Sequence, residues 1–329
     1  MATTGIPTDF NLSTLDEAGL LPREISEDIY TRARTESVVA RLSKTEPVRI
    51  GTERVIPVSD SRPRAHIRRD GHIGRQATEY GLRGVSMVPV IATVGVTLSR
   101  RSIMAAPAAM LEDLKTGFAS AIAEQIDLYA LHGIEALTGD KVADGLADGL
   151  TTVKGVKGSE KTLSAQGFEA GAWKAYDNLI SGTFARTPNG AALDTRAYSV
   201  MGSATDTSGR PLYPTFGIGG QPENLSFAGV PTATSPSVSG NVPGYKDTGI
   251  RAIIGDWSAL RYGVADRIDY KVVEYGDPLN KGYDLQHMDE IAIISEIDFG
   301  VAVLDNGAFV GITDPAVKTT TTASGDTAA

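Results

Sequence analysis

Apolar residues recur at three- and four-residue steps through one long stretch: Leu111, Leu114, Phe118, Ile122, Ile126 and Tyr129. This spacing predicts a helix of about 25 residues, a rod of about 38 Å. Pro107 suits its first turn and Gly133 its end. Glu112, Asp113, Lys115, Glu124 and Asp127 fall on the other stripe, so the helix is predicted to pack on a sheet and show these groups to solvent or neighbours. A shorter helix is predicted over Phe168 to Ile180, where Phe168, Ala172, Tyr176, Leu179 and Ile180 share a face. Glu290 to Leu304 alternates instead: Ile291, Ile293, Ile297, Phe299, Val301 and Val303 point one way and Glu296 and Asp298 the other, interrupted at Ser295. That is the pattern of a long, half-buried strand, and Asn306-Gly307 predicts a hairpin turn into AFVGI. LDTRAYSVM, IRAIIGDW and RIDYKVVEYGD also read as strands, and Gly202 to Gly249 as one loop. ADGLADGL at 143–150 reads as a duplicated turn without chemistry, and the small polar residues 314–329 as a disordered tail.

Ahead of the long helix, short extended runs are broken by Pro57, Pro63, Asp70-Gly71 and Pro89. Asp-Gly accepts the positive φ of a tight turn, so the segment predicts a long hairpin with its tip around Arg69 to His72. A two-stranded ribbon has too little core to stand alone in water, and another subunit is the natural surface for it.

Charge sharpens that picture. The 329 residues hold 31 basic and 40 acidic side chains, net −9, which excludes a surface built throughout to hold nucleic-acid phosphates. From Arg49 to Arg101, however, there are ten arginines, no lysine and four acids, net +6, so the remainder carries −15. A basic arm on an acidic body suits self-association, although a charge run alone also fits a solvated face. The length predicts about two domains, and 41% apolar residues suffice for more than one core. The absence of cysteine excludes disulfides, thiolate nucleophiles and cysteine metal sites. With no signal-peptide pattern at the start and no apolar run near 18 residues, the chain is expected to be soluble and cytoplasmic, with no membrane partner.

Candidate chemistry is sparse. His66 and His72 flank the predicted turn and form at most a weak two-ligand pair, more simply two surface histidines. His132 falls where a donor caps the end of the long helix, and His287 lies among Asp284, Asp289 and Glu290 as a polar lead-in to the last long strand. Nucleophile-elbow, phosphate-loop and zinc-helix motifs are missing, and GIGG at 217–220 lacks the context of a dinucleotide site. The sequons at Asn11 and Asn224 read as chance matches, and paired acids such as Asp277 or Asp284 with Glu290 are not singled out by anything around them. Neither a catalytic residue nor a cofactor or metal is predicted.

Three stretches carry a resemblance: LLPREISEDIYTRARTESVVARLSKTEPVRI, GDWSALRYGVADRIDYKVVEYGDP from Gly255 to Pro278, and EIAIISEIDFGVAVLDNGAFV from Glu290 to Val310. With the order arm, basic hairpin, long helix, α/β region and closing strand, the chain resembles the major capsid proteins of tailed phages, whose fold was first seen in phage Hong Kong 97. The resemblance implies an α+β phage capsid fold: an N-terminal arm (1–48), an extended β-hairpin loop with flanking strands (49–101), a peripheral domain with the spine helix (102–165), an axial domain (166–282), closing strands of the peripheral domain (283–313) and a tail (314–329). It implies a structural protein of the virion capsid, not an enzyme, assembled in the host bacterial cytoplasm into hexamers and pentamers of an icosahedral shell around double-stranded DNA. DNA would be contacted non-specifically at the inner surface. On this reading Arg62, Arg64, Arg68, Arg69, Arg75 and Arg83 meet acids on a neighbouring copy, and Leu111, Leu114, Phe118, Ile122 and Ile126 pack the spine.

Two departures bear on the transfer. The family prototype cross-links a loop lysine to a neighbour's asparagine, whereas residues 49–101 contain no lysine, so that bond is expected to be absent and a cementing protein is a candidate source of strength. The family-like pattern also begins within about 20 residues, so scaffolding is expected from a separate protein or not at all, with a portal as a further partner. An encapsulin-like compartment of the same fold is the alternative, and an α/β enzyme a remote one.

Overall fold

A computed structural model of the chain describes residues 22–49, 51–59, 61, 63–65, 80–101, 107–156, 163–182, 185–206, 208–217, 225–227, 229–241 and 245–317. The opening helices α1 (Pro22–Glu36) and α2 (Val38–Leu42) break at Ser37, whose side chain accepts a bond from the Ala40 amide and caps α2. A short strand β1 (Lys44–Thr45) follows, then β2 (Arg54–Ser59), β3 (Leu82–Met87), β4 (Pro89–Ser99) and α3 (Pro107–His132). The second half comprises β5 (Thr151–Lys154), α4 (Ala165–Ser181), β6 (Gly190–Leu193), α5 (Thr195–Gly202), β7 (Ser226–Phe227), β8 (Val230–Thr234), β9 (Ile250–Gly255), β10 (Leu260–Val273), β11 (Glu290–Val303) and β12 (Phe309–Thr313). The mixed α+β class and the long helix are as the sequence predicts, and the shorter helix α4 spans the predicted stretch.

β2 and β3 form the predicted hairpin, antiparallel from Arg54↔Met87 to Ser59↔Leu82. Its Asp70-Gly71 tip lies outside the described residues, as do His66, His72 and residues 318–329. β4 leaves the ribbon and joins a four-stranded sheet in the order β1-β10-β11-β4. β5, β12, β9, β6, β8 and β7 form a second sheet in that order.

Four local expectations are corrected. The stretch LDTRAYSVM is strand only to Leu193; α5 starts just after Asp194, and its Ala197 and Met201 are buried four residues apart, a period that suits a helix. The loop read over Gly202 to Gly249 contains β7, β8 and a 3-10 turn at Pro236–Ser239. Asn306-Gly307 makes no hairpin: Asp305 accepts the Gly307 amide at 2.9 Å, a 3-10 turn spans Asn306–Ala308, and β12 crosses into the second sheet beside β9 and β5. β11 is not half-buried along its whole length, since Ala292 and Ile294 are buried together with Ile291 and Ile293 while Val301 and Val303 are only partly covered. Leu279, from the loop after β10, sits over Gly95, the cross-strand partner of Ile294, and covers that outer face.

One apolar core runs between the long helix and both sheets, joining Phe118, Ile122 and Ile126 to Ile291, Ile297 and Phe299 and, from the second sheet, to Ile253 and Phe309. A second core lies under α4 and α5, with Phe168, Leu179, Met201, Phe216, Ile254 and Ile312. Each large side chain so buried contributes about 1.5–3 kcal/mol.

Candidate assembly surface

The long helix is covered on two sides, which the periodicity alone does not show. Of the groups expected on its polar stripe, Glu112, Asp113 and Glu124 are exposed, but Lys115 is only 8% and Asp127 only 1% exposed. Lys115 reaches Asp28 of α1 at 3.3 Å, and Arg32 bonds Asp28 at 3.3 Å and also Glu112. Asp127 accepts the Ser37 hydroxyl at 2.7 Å and the amides of Val38 and Val39 at 3.0 Å each, so a carboxylate on α3 caps the start of α2. Burial pushes its pKa from 3.8 up to about 6, while the bonds from Val39, Ser37, Val38 and Ser235 pull the other way. Among the predicted spine residues, Phe118, Ile122 and Ile126 are buried and Leu114 is half-buried; the side chain of Leu111 lies outside the described residues. His132 does not cap its own helix. Its Nε2 lies 3.0 Å from the Val238 carbonyl, tying α3 to the 236–239 turn, and burial lowers its pKa.

The root of the hairpin is fixed to the body. Ile56, Val58, Val85 and Met87 share one face of the ribbon and pack on Ala302 and Leu304 at the end of β11. On the body side, Glu46 pairs with Arg54 at 3.0 Å and with Arg261 at 3.6 Å, and its amide donates to the Tyr262 carbonyl at 2.8 Å. Gly263 allows this approach, because a Cβ there would meet the Glu46 carbonyl at 2.0 Å. Arg83 donates to the Leu304 carbonyl of its own chain at 2.6 Å. Arg64 is exposed beyond the last ribbon pair, and Arg62, Arg68, Arg69 and Arg75 lie outside the described residues. The opposite face of the ribbon leaves Val55 and Leu82 more than 60% exposed.

The GDWS stretch joins β9 of the second sheet to β10 of the first. Asp256 caps the 3-10 turn Trp257–Ala259 through Ser258, Trp257 is fully buried edge-on to Phe309 at 5.4 Å, and a Cβ on Gly255 would meet the Ala308 carbonyl at 2.4 Å. Arg186 bridges Asp256 at 3.3 Å and Asp305 at 2.7 Å, holding both turns. Deeper in the second sheet, the fully buried Arg251 faces Asp194 at 3.1 Å, Asp247 at 2.8 Å and Asp314 at 3.5 Å. Burial opposes its charge, yet the bond to Asp247 and the three carboxylates hold the guanidinium above its ordinary pKa. Glu46, Asp127 and Arg251 carry no sequence motif, whereas Gly263 closes the RYG run (residues 261–263) of a stretch with family likeness.

The described residues bring no three histidines or acids together for a metal, and none of their helices is long and apolar enough to cross a membrane. His287 stands exposed in the turn before β11, its amide bonded to the Asp284 carbonyl at 3.2 Å. The arrangement is one of anchors: an arm clamped to a helix, a basic ribbon rooted at its base, and two sheets joined by capped turns.

Comparison with known proteins agrees. The model of the phage capsid family matches residues 17–314. A solved structure from Gordonia phage Cozz is 31% identical, with a TM-score of 0.68 over 84% of this chain and 86% of that one. One from Mycobacterium phage Ogopogo is 28% identical, with a TM-score of 0.68 over 84% and 92%. The capsid of an empty GTA particle, at 13% identity and a TM-score of 0.57 over 85% and 89%, shares the fold. No curated protein matches the sequence significantly. With one family model spanning residues 17–314 and a relative 31% identical along most of both chains, the chain belongs to the phage capsid family: it is a major capsid protein, a structural protein that forms the shell of a bacteriophage virion.

Proposed function

We propose that copies of this chain assemble as hexamers and pentamers of an icosahedral shell around double-stranded DNA, each copy's basic hairpin lying on its neighbour. The observation that carries this reading is the hairpin itself: it is fastened at its root by Glu46, Arg83 and the Met87–Leu304 contact, it carries most of the arginines of a net +6 segment, and its other face leaves Val55 and Leu82 exposed. A ribbon of this kind needs a surface beyond its own subunit, and the acidic remainder of another copy supplies one. Single exposed ion pairs are worth about 0–1 kcal/mol, but a closed shell repeats them many times.

Within the subunit, the four-stranded sheet with the long helix is the peripheral unit and the six-stranded sheet the axial unit. This moves β10 from the axial to the peripheral side of the boundaries drawn on sequence, and β5 and β12 the other way. Arg62, Arg64, Arg68, Arg69 and Arg75 are the proposed contacts to the neighbour, and Arg83 is a root residue, bonded to the Leu304 carbonyl of its own chain. The portal is a separate protein, burial, ion pairs or a cementing protein supply strength where no loop lysine exists, DNA is held non-specifically, and assembly takes place in the host bacterial cytoplasm without any catalytic step.

Electron microscopy of the purified protein, alone and with its scaffold, tests this. Polyhedral shells or capsomer rings are expected from the natural chain, and their loss with a folded subunit from R68E/R69E. A persistent monomer from the natural chain, or normal shells from the double variant, would overturn the hairpin-on-neighbour reading.

A further inference from the structure

A cavity of about 370 Å³ lies between α4 and the second sheet. Ala191 of β6, Phe227 of β7, Val230 of β8 and Ile254 of β9 line it, and because these strands are neighbours in the order β9-β6-β8-β7, they make one apolar floor. The wall comes from α4, where Glu169, Trp173 and Tyr176 fall at i, i+4 and i+7 on one face of the helix. The Trp173 and Tyr176 rings stand 6.0 Å apart with their planes at 89°, a right-angled aromatic corner, and remain 61% and 40% exposed. Tyr213, from the segment after α5, also lines the cavity. Its hydroxyl donates to Glu169 Oε2 at 3.0 Å, and burial together with the Glu169 carboxylate pushes the phenol up to about 12, so it stays protonated and keeps donating. Among the described residues, no lysine or arginine lines the cavity and none forms a salt bridge with Glu169.

We infer that this cavity binds a small organic ammonium ion, its cationic head against the Trp173 and Tyr176 rings and its charge met by Glu169. The rings supply the first reason: an aromatic face attracts a cation through its quadrupole, most strongly for tryptophan, and does so even at an exposed site. The carboxylate supplies the second. Glu169 brings to an apolar cavity a negative charge that no described cation of the chain neutralises, and a neutral ligand such as a sugar would leave it unpaired at the cavity wall. The Tyr213 bond separates ammonium from guanidinium, because with Oε2 engaged only Oε1 is open, which serves a single-point cation, whereas a guanidinium fork pairs with both oxygens. Size agrees as well: small-molecule sites span about 300–1,000 Å³, and a cavity at the lower end of that range admits an ammonium head with a short alkyl arm. A chain of net −9 draws small cations to its surface in general, and this cavity selects the organic ones. The hairpin-on-neighbour reading plays no part in the inference.

Choline is the probe, and 3,3-dimethylbutan-1-ol, which has the same shape without the charge, is its control. Ligand-observed NMR titrations of the purified full-length chain read both, with methylguanidinium as a third ligand. Choline should bind in the millimolar range, roughly tenfold more tightly than the neutral alcohol, and more tightly than methylguanidinium. Glu169→Gln keeps an acceptor for the Tyr213 hydroxyl and removes only the charge of an exposed side chain, so the variant should fold as the natural chain does. Tyr176→Leu removes one ring of the corner from a half-exposed position. Each should weaken choline by roughly tenfold, whereas E169Q should leave the alcohol unaffected. An alcohol bound as tightly as choline would show a merely apolar pocket and overturn the inference. So would methylguanidinium bound more tightly than choline, choline binding indifferent to both substitutions, or no choline binding at all. Neither outcome of the R68E/R69E experiment bears on these results, so the failure of one reading leaves the other standing.

Discussion

Asp127→Asn isolates the clamp between arm and long helix, because it keeps the shape and removes the charge. In the natural protein the folded-state pKa is about 6 against 3.8 for the free group. The folded state therefore binds more protons than the unfolded state between these values, and this group's contribution to stability rises as pH falls from about 6 to about 4. At about 1.4 kcal/mol per pKa unit, the ionised carboxylate is disfavoured in the fold by about 3 kcal/mol at pH 7. Asparagine relieves that penalty, but it has one acceptor oxygen where the carboxylate has two, and it leaves Val38 or Val39 with a buried, unpaired amide at a cost of about 1–3 kcal/mol. The two effects nearly cancel at pH 7, where D127N should be equal to the natural protein or up to about 2 kcal/mol more stable. At pH 4 the natural side chain is neutral and the relief disappears, so the variant should be less stable by about 1–3 kcal/mol. Urea denaturation of the dissociated subunit from pH 4 to 7, read by tryptophan emission, measures both curves. Parallel curves with no change in the gap would refute the reasoning that Asp127 is a buried, ionised cap.

Gly263→Ala should push the arm off β10, since its Cβ would sit 2.0 Å from the Glu46 carbonyl; tryptic cleavage at Lys44 and Arg49 should speed up by roughly tenfold, and an unchanged rate would show that the arm is not seated there. Arg251→Met leaves Asp194 buried at 3% side-chain exposure without its cation and should cost about 3–5 kcal/mol in denaturation experiments. Purified shells boiled in detergent should yield only the 34.6 kDa monomer; a ladder of linked species would reveal a cross-link made without a loop lysine.

The periodic features were readable from the sequence. Phe118, Ile122 and Ile126 repeat at helical spacing because one face meets a sheet, and the run around Ile291 to Phe299 alternates because Ile291, Ile293, Ile297 and Phe299 share the strand face that meets the core. The second covering of the long helix was not readable. Asp127 and Lys115 occupy the polar stripe of the pattern, and only the approach of α1 and α2 turns that stripe into an interface. Local turn signals misled where a neighbour overrode them: Asn306-Gly307 has hairpin chemistry, but Asp305, held by Arg186, builds a 3-10 turn that sends β12 to another sheet. Helix α5, at eight residues, is too short for its Ala197–Met201 period to stand out from a strand pattern. Of the proposed contacts, the breaks at Pro57, Asp70-Gly71 and Pro89 outlined the hairpin and the charge split marked it as basic, whereas its rooting by Glu46, Gly263 and Arg83 joins residues far apart in the chain that no linear pattern connects.

The order of strands in the first sheet also sets a timetable for the ribosome. β4 and β1 gain their partners only when β10 and β11 have been made, nearly 200 residues after β4, and Arg83 waits for Leu304. At about 5–20 residues per second this is a delay of roughly 10–40 s during synthesis. Through that interval the hairpin has no root, the edge of β4 has no sheet behind it, and the arm has no strand to join. A nascent chain is thus unable to present a finished contact surface to another nascent chain on the same message. The surfaces proposed for self-association are therefore complete only in the finished subunit.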